Sequence, residues 1–357
     1  MRTVALLALS LVLAPVEVRA DSALVAGVGY SDRFGGFANV GLHLRNLMDG
    51  ALDMQLDHRR GDGGYDLSAR AFFRHRMGAT ALGGDTVLSF GVLGHDSRWQ
   101  VETFNARTLD LSARIEAEAA QGLRWQLALV HSMADLRISD PALSPVLQQD
   151  AGRSAVTWFE AGFTWVSRPD LDILTPGYRI SGVVGQGVSS TAGRNWTRAR
   201  LGGEASFALS GPFVLGISGE GSVISPSGSG RVHALDRIFP DGRAPRGFAW
   251  GSAGPRDTVT GDALGGTKQL FSSVEVRAPL PSDGLSVSLF ADAGAVWGLA
   301  ADAGVTADDA FQLRSAAGVA LTWSTEFGRL DLSVASPLRS MPSDDLQPLS
   351  LRFVAQF

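Results

Sequence analysis

The residues of this chain whose types and spacing could act together are one arginine and two carboxylates. Arg246 sits in Ala-Pro-Arg-Gly-Phe (244–248), inside a long stretch, 223–266, that carries neither a helical nor a strand period. Glu275 and Asp292 follow in two segments of alternating character. In the first, 267–278, Leu270, Ser272, Val274 and Val276 oppose Gln269, Phe271, Ser273, Glu275 and Arg277. In the second, 285–294, Val287, Leu289, Ala291 and Ala293 oppose Ser288, Phe290 and Asp292. Side chains two apart on a strand share a face, so both carboxylates fall on the polar side of neighbouring strands. An acid removed from water needs a cationic partner. A guanidinium presents five donors in a planar fork and can bond two carboxylates at once. The chemistry on offer is a charge latch, with Gly247 permitting a tight turn and Phe248 free to wedge against a wall. On spacing alone, an arginine exposed on a loop is the slightly simpler reading.

Nothing points to catalysis. There is no Gly-x-Ser-x-Gly elbow and no Ser-x-x-Lys pair. The six histidines are scattered, with none four residues from another, so no helical metal pair exists. The chain has no cysteine, which removes disulfides and thiolate metal sites. No metal, no cofactor and no enzymatic activity are expected. Acidic residues outnumber basic ones, 36 to 31, so no nucleic-acid partner is expected.

The elements that must position the latch are strands. Residues 1–20 read as a secretory leader: an arginine, an apolar run from Val4 to Leu13, and Val18-Arg19-Ala20 before Asp21. The alternative for this run is a short buried helix. Beyond it, no window approaches the 18 apolar residues of a membrane helix. Sixteen segments alternate or run apolar at strand length, near 24–30, 36–45, 51–59, 65–74, 86–96, 107–118, 122–131, 154–167, 178–187, 196–208, 213–222, 267–278, 285–294, 311–323, 328–336 and 348–357. Most are about ten residues, the length of a tilted strand crossing a bilayer. Long and short connections largely alternate, as in a barrel with short periplasmic turns and long external loops. The segments 75–85 and 168–177 are long for such turns. The reading for 21–357 is an all-β, 16-stranded antiparallel transmembrane β-barrel with both ends on the periplasmic side. Trp125, Trp165, Trp297 and Trp323 suit interfacial girdles. The alternatives are a large soluble sandwich or a propeller, although no propeller repeat is present.

A further set of motifs carries a resemblance. These are Arg-Gly-Phe in the loop before the twelfth strand, Gly265-Gly266 at that strand's start, and Phe290-Ala291-Asp292-Ala293-Gly294 followed by Val296-Trp297. With 314–323 (RSAAGVALTW) and 328–337 (GRLDLSVASP), they resemble the BamA/TamA/FhaC superfamily of outer-membrane barrels, the bacterial surface antigen family. The resemblance is most specific over 243–357. Pro245 departs from it, since that position is usually aliphatic. The resemblance implies that the sixth external loop is held in the barrel lumen by Arg246, Gly247, Phe248, Glu275, Phe290, Asp292 and Gly294. It implies insertion or translocation of a polypeptide client at the outer membrane, with a seam between 24–30 and 348–357. Leu351, Phe353 and Phe357 would form the C-terminal signal by which the barrel assembly machinery recognises the chain. The family's periplasmic POTRA modules have no counterpart before Leu24, so a separate periplasmic partner or a narrower role is expected. The competing reading is a passive pore or structural barrel that kept the fold.

Overall fold

The computed structural model describes residues 22–31, 35–61, 64–99, 104–138, 140, 142–167, 175–228, 230–239, 245–249, 253–282, 284–299, 307–325 and 328–355. The expected leader, 1–20, lies outside the described residues, as does Phe357. Leu351 and Phe353 lie on a described strand, but their side chains are not among those described.

Sixteen strands form one antiparallel sheet in chain order. They are β1 (Ser22–Ser31), β2 (Gly35–Asn46), β3 (Leu52–Gly61), β4 (Gly64–Thr80), β5 (Gly83–Trp99), β6 (Phe104–Ala120), β7 (Leu123–Ile138) and β8 (Gly152–Val166). β9 (Gly177–Val188), β10 (Trp196–Ala208), β11 (Val214–Pro226), β12 (Lys268–Pro279), β13 (Leu285–Trp297), β14 (Arg314–Thr325), β15 (Gly328–Arg339) and β16 (Leu349–Ala355) complete it. β1 returns to β16 through Val25–Val354 and Ala26–Phe353, which closes the sheet into a barrel. Each expected segment finds a strand, including the glycine-diluted ones at 178–187 and 213–222.

The reading of 75–85 as a long connection is corrected. β4 runs on to Thr80 and β5 begins at Gly83, leaving a two-residue turn. The alternation was hidden because the register slips twice, around Gly78, whose φ is 69°. A bulge of this kind shifts the two-residue period by one. The connection after β8 remains long.

The two faces differ as the alternation requires. On β13, Leu289 is 64% exposed while Phe290 and Asp292 on the other face are 4% and 3% exposed. Phe90, Val184, Leu201 and Val334 also stand exposed on the outer face. Trp165, Phe207, Phe213 and Trp323 cluster at the short-turn end, all exposed. Trp297 lies at the opposite rim, edge-on to Phe311 with ring centroids 4.9 Å apart.

At that opposite end the longer loops pack together. A short helix, Pro145–Gln148, follows β7 and buries Val146 and Leu147 against Ala106, Leu136, Ala234 and Leu264. A second cluster joins Val156 and Trp196 of the wall to Val232 of the loop. Charges inside this plug are paired. Asp150 accepts from Arg231 Nη1 at 2.5 Å, Arg237 Nη2 at 3.2 Å and the Ala234 amide at 2.8 Å. Burial pulls Arg237 down to about 10, which leaves it charged at neutral pH. Arg194 grips Asp236 with two donors, at 2.9 and 3.1 Å. His233 is buried, and its Nδ1 accepts the Leu235 amide at 3.2 Å, capping the single turn Ala234–Asp236.

Two predictions concern this plug. Leu264→Ala removes a fully buried side chain at a cost of about 2 to 5 kcal/mol. Protease cleavage within 227–267 should rise, while the heat-modifiable band of the barrel on gels stays. Burial also holds the His233 imidazole below its usual range. An unfolded loop would take up that proton near pH 6.5, so the cap's stabilisation is complete above that pH and declines as pH falls below it. Limited proteolysis at pH 7.5 and pH 5 should show a looser loop in acid. His233→Asn, which keeps a cap acceptor that does not titrate, should abolish the difference.

Candidate functional site: a latch in the barrel lumen

The connection from β11 to β12 is anchored to the inner wall at residues 245–249. Arg246 Nε donates to Asp292 Oδ2 at 2.8 Å and Nη2 to Asp292 Oδ1 at 2.9 Å, a two-pronged grip. The Arg246 backbone amide adds a third bond to Oδ2 at 3.0 Å. The same guanidinium reaches Glu275 Oε2 from Nη1 at 3.4 Å and from Nη2 at 3.3 Å. Its plane lies over the Phe290 ring, with Cζ 3.3 Å from the centroid, a cation–π contact that is strongest where water is excluded.

The strands deliver these groups by register. β12 and β13 pair so that Ser273 faces Asp292 and Glu275 faces Phe290. Because the side-chain period is two, all four point inward. Sequence reasoning did not assign two further participants. Ser273 donates its hydroxyl to Asp292 Oδ1 at 2.6 Å, and Arg246 Nη2 also bonds the Ser273 oxygen, at 3.2 Å. Arg277 lies against Glu275 at 3.2 Å. Both sit at i±2 from Glu275, so the inward-face pattern was the available signal.

Small residues set the clearances. Gly247 has φ 93°, a region that favours glycine, and a Cβ there would sit 3.1 Å from Ala335 Cβ. Gly294 lets the wall approach the loop, since a Cβ on it would meet Pro245 Cδ at 3.3 Å. Pro245 therefore does not disturb the latch; it packs on the Phe-x-Asp-x-Gly strand. At Gly318, opposite Phe290, a Cβ would lie 2.5 Å from the ring. Only glycine leaves room there for the ring that underlies Arg246. Gly247 and Phe248 also pair as a short ladder with Gln347 and Leu346, so the loop is tied to the β15–β16 connection. That connection is itself pinned, with Arg314 bonding both oxygens of the buried Asp344 at 3.0 to 3.2 Å.

Burial opposes the charge on Arg246. The hydrogen bonds and charge of Asp292, followed by those of Glu275, outweigh it and hold the guanidinium above its usual value. All seven residues expected in the latch are brought together, with Gly247 and Phe248 contributing through backbone and burial. The arrangement is held by charge pairing and hydrogen bonds between loop and wall. It is an anchor that fixes one segment of chain inside the barrel.

Comparison with known proteins supports the same conclusion. Residues 54–355 match the model of the Omp85 superfamily domain. The BamA outer membrane protein assembly factor of Neorickettsia risticii is 33% identical over 143 residues, 38% of this chain and 18% of that protein. The BamA assembly factor of Neisseria meningitidis serogroup B is 31% identical over 181 residues, 42% of this chain and 22% of that one. The chain thus spans about a fifth of the length of these curated relatives. Among solved structures, BamA from Haemophilus ducreyi lacking POTRA domains 1–3 superposes with a TM-score of 0.71 at 19% identity, over 95% of this chain and 71% of that one. CdiB from Acinetobacter baumannii does so at 0.61 and 15% identity, over 94% and 59%. Barrels of this kind are not enzymes but proteins of assembly and translocation. The match extends well upstream of the 243–357 tail, and the chain belongs to the Omp85 superfamily of integral bacterial outer-membrane β-barrels.

Proposed function

We propose that this barrel stands across the outer membrane with its short turns and both termini on the periplasmic side, and that it inserts or translocates polypeptide at the seam between β1 and β16. The observation that carries this reading is the intact latch on Arg246. A passive channel gains nothing from a loop clamped across its lumen, whereas a device that opens at its seam needs the central path held shut. The seam itself is thin. Among the described residues β1 pairs with β16 through two residue pairs, against ten with β2. Each unpaired strand edge in hydrocarbon costs backbone hydrogen bonds, so a short seam is the least expensive place for the ring to part. Leu351, Phe353 and Phe357 serve as the C-terminal signal for the chain's own insertion by the barrel assembly machinery. Client delivery falls to a periplasmic partner.

The test is in-cell photo-crosslinking from a reactive residue at Ala26 and, separately, at Ala355. A discrete polypeptide trapped from both positions is expected. Crosslinks confined to lipid, or to the opposite seam strand, would move the function to a passive pore or structural barrel.

The latch has its own test. Arg246→Ala leaves Asp292, whose side chain is 1% exposed, without its cation. Losing one partner of such a pair costs about 3 to 5 kcal/mol. Single-channel conductance in planar bilayers should rise and the loop should become protease-sensitive. Arg246→Lys should rescue only in part, because an ammonium cannot form the fork. Unchanged conductance with Arg246→Ala would remove the latch from the argument.

A further inference from the structure

The outer face of β8–β12 carries a depression of about 740 Å³ whose surface is predominantly apolar. Its floor is made by small residues. Ala199 lines it, and at Gly221 an added Cβ would have no neighbour closer than the Gln269 carbonyl at 3.9 Å. Phe163, Leu201 and Val223 rise around this floor on the exposed face.

The depression has a polar head. Lys268, the first residue of β12, shares the outward face with Leu270 and lies beside Trp297 in the adjoining strand. It is the chain's sole lysine and the one charged side chain on the outward face of β9–β12. No carboxylate pairs with it among the described residues. One residue pair above the depression, the outward positions of β9–β11 turn polar. Gln186, Thr197 and Ser225 are register partners there, and Thr197 bonds Gln186 at 2.6 Å. This polar row and Lys268 bound the depression on its long-loop side.

The register gives the depression a direction. Lys268 pairs with Val223, Val223 with Ala199, Ala199 with Val184, and Val184 with Ala161. Lys268 is the first residue of its strand at the long-loop end, whereas Ala161 is the tenth of β8 from the same end. The row thus descends toward the middle of the barrel. It crosses four strand spacings, about 19 Å, and at a strand tilt of about 45° it drops roughly 13 Å, close to the half-thickness of a 30 Å hydrocarbon core.

We infer that this depression seats one acyl chain of an anionic membrane lipid in the leaflet on the long-loop side, with the headgroup phosphate on Lys268 and the chain lying across Ala199 and Gly221. The inference rests on the transmembrane reading given above. An ammonium at a lipid surface attracts a phosphate, and a chain laid over glycine and alanine gains dispersion contacts that a ridge of large side chains would deny it.

The experiment is native mass spectrometry of the full chain refolded into detergent micelles, with phosphatidylglycerol or phosphatidylcholine added. A one-to-one phosphatidylglycerol adduct should survive activation that strips phosphatidylcholine. Lys268→Gln should weaken it about fivefold, and Gly221→Leu, which fills the floor, should abolish it. Equal retention of both lipids, or an adduct untouched by Gly221→Leu, would overturn the site. Flotation of the same proteins with phosphatidylcholine vesicles separates the two layers of the argument. A chain that does not float sinks the transmembrane reading and this site with it. A chain that floats while Gly221→Leu keeps its adduct sinks the site alone.

Discussion

Everything in this molecule depends on where backbone hydrogen bonds go. A strand presented to hydrocarbon has no water to satisfy its amides and carbonyls, so each of the sixteen must find both neighbours within the chain. Consecutive antiparallel pairing does this for β2 to β15 between neighbours in the chain. The cost falls on the one junction that chain order cannot make local, between β1 and β16. A sheet built in sequence has a single non-local closure, and among the described residues that closure is its shortest ladder.

The closed sheet creates the second constraint. Its inner face must be polar or filled, and this chain does both. Toward the short turns the lumen is lined by arginine–carboxylate pairs, such as Arg74 with Asp53 and Arg124 with Asp85. Toward the long loops it is filled by a plug with its own apolar core and buried ion pairs. Arg246 joins the two regimes. It belongs to the loop, yet its partners belong to the wall, so loop position and wall register determine each other. A buried ion pair of this kind contributes little net stability over an apolar substitute. What it supplies is specificity, since the one fork of Arg246 bonds both carboxylates.

The outer face shows how composition serves two surroundings at once. Large apolar residues stand exposed around most of the wall, and aromatics gather at the short-turn rim. Where glycine and alanine replace them on β8–β12, the wall recedes, and the chain's lone lysine stands at the upper edge of the recess. A barrel needs apolar residues outward but does not need small ones, so their concentration beside Lys268 asks for a reason beyond closure.

The two-residue period determined, by itself, the strand inventory and the side on which each residue would fall, because alternation is local and survives any tertiary arrangement. It placed Glu275, Phe290 and Asp292 on the inner face, and the Arg-Gly-Phe motif marked their partner. The sequence alone did not separate a latched arginine from an exposed one, since Glu275 lies 29 positions beyond Arg246 and the loop that carries Arg246 has no period. It misplaced the β4–β5 turn because Gly78 breaks the register. It was silent on Ser273 and Arg277 as members of the network, on the Arg314–Asp344 clamp and on the plug's buried charges. Those depend on distances between loops remote in the chain, and only the closed barrel brings them within reach of a hydrogen bond.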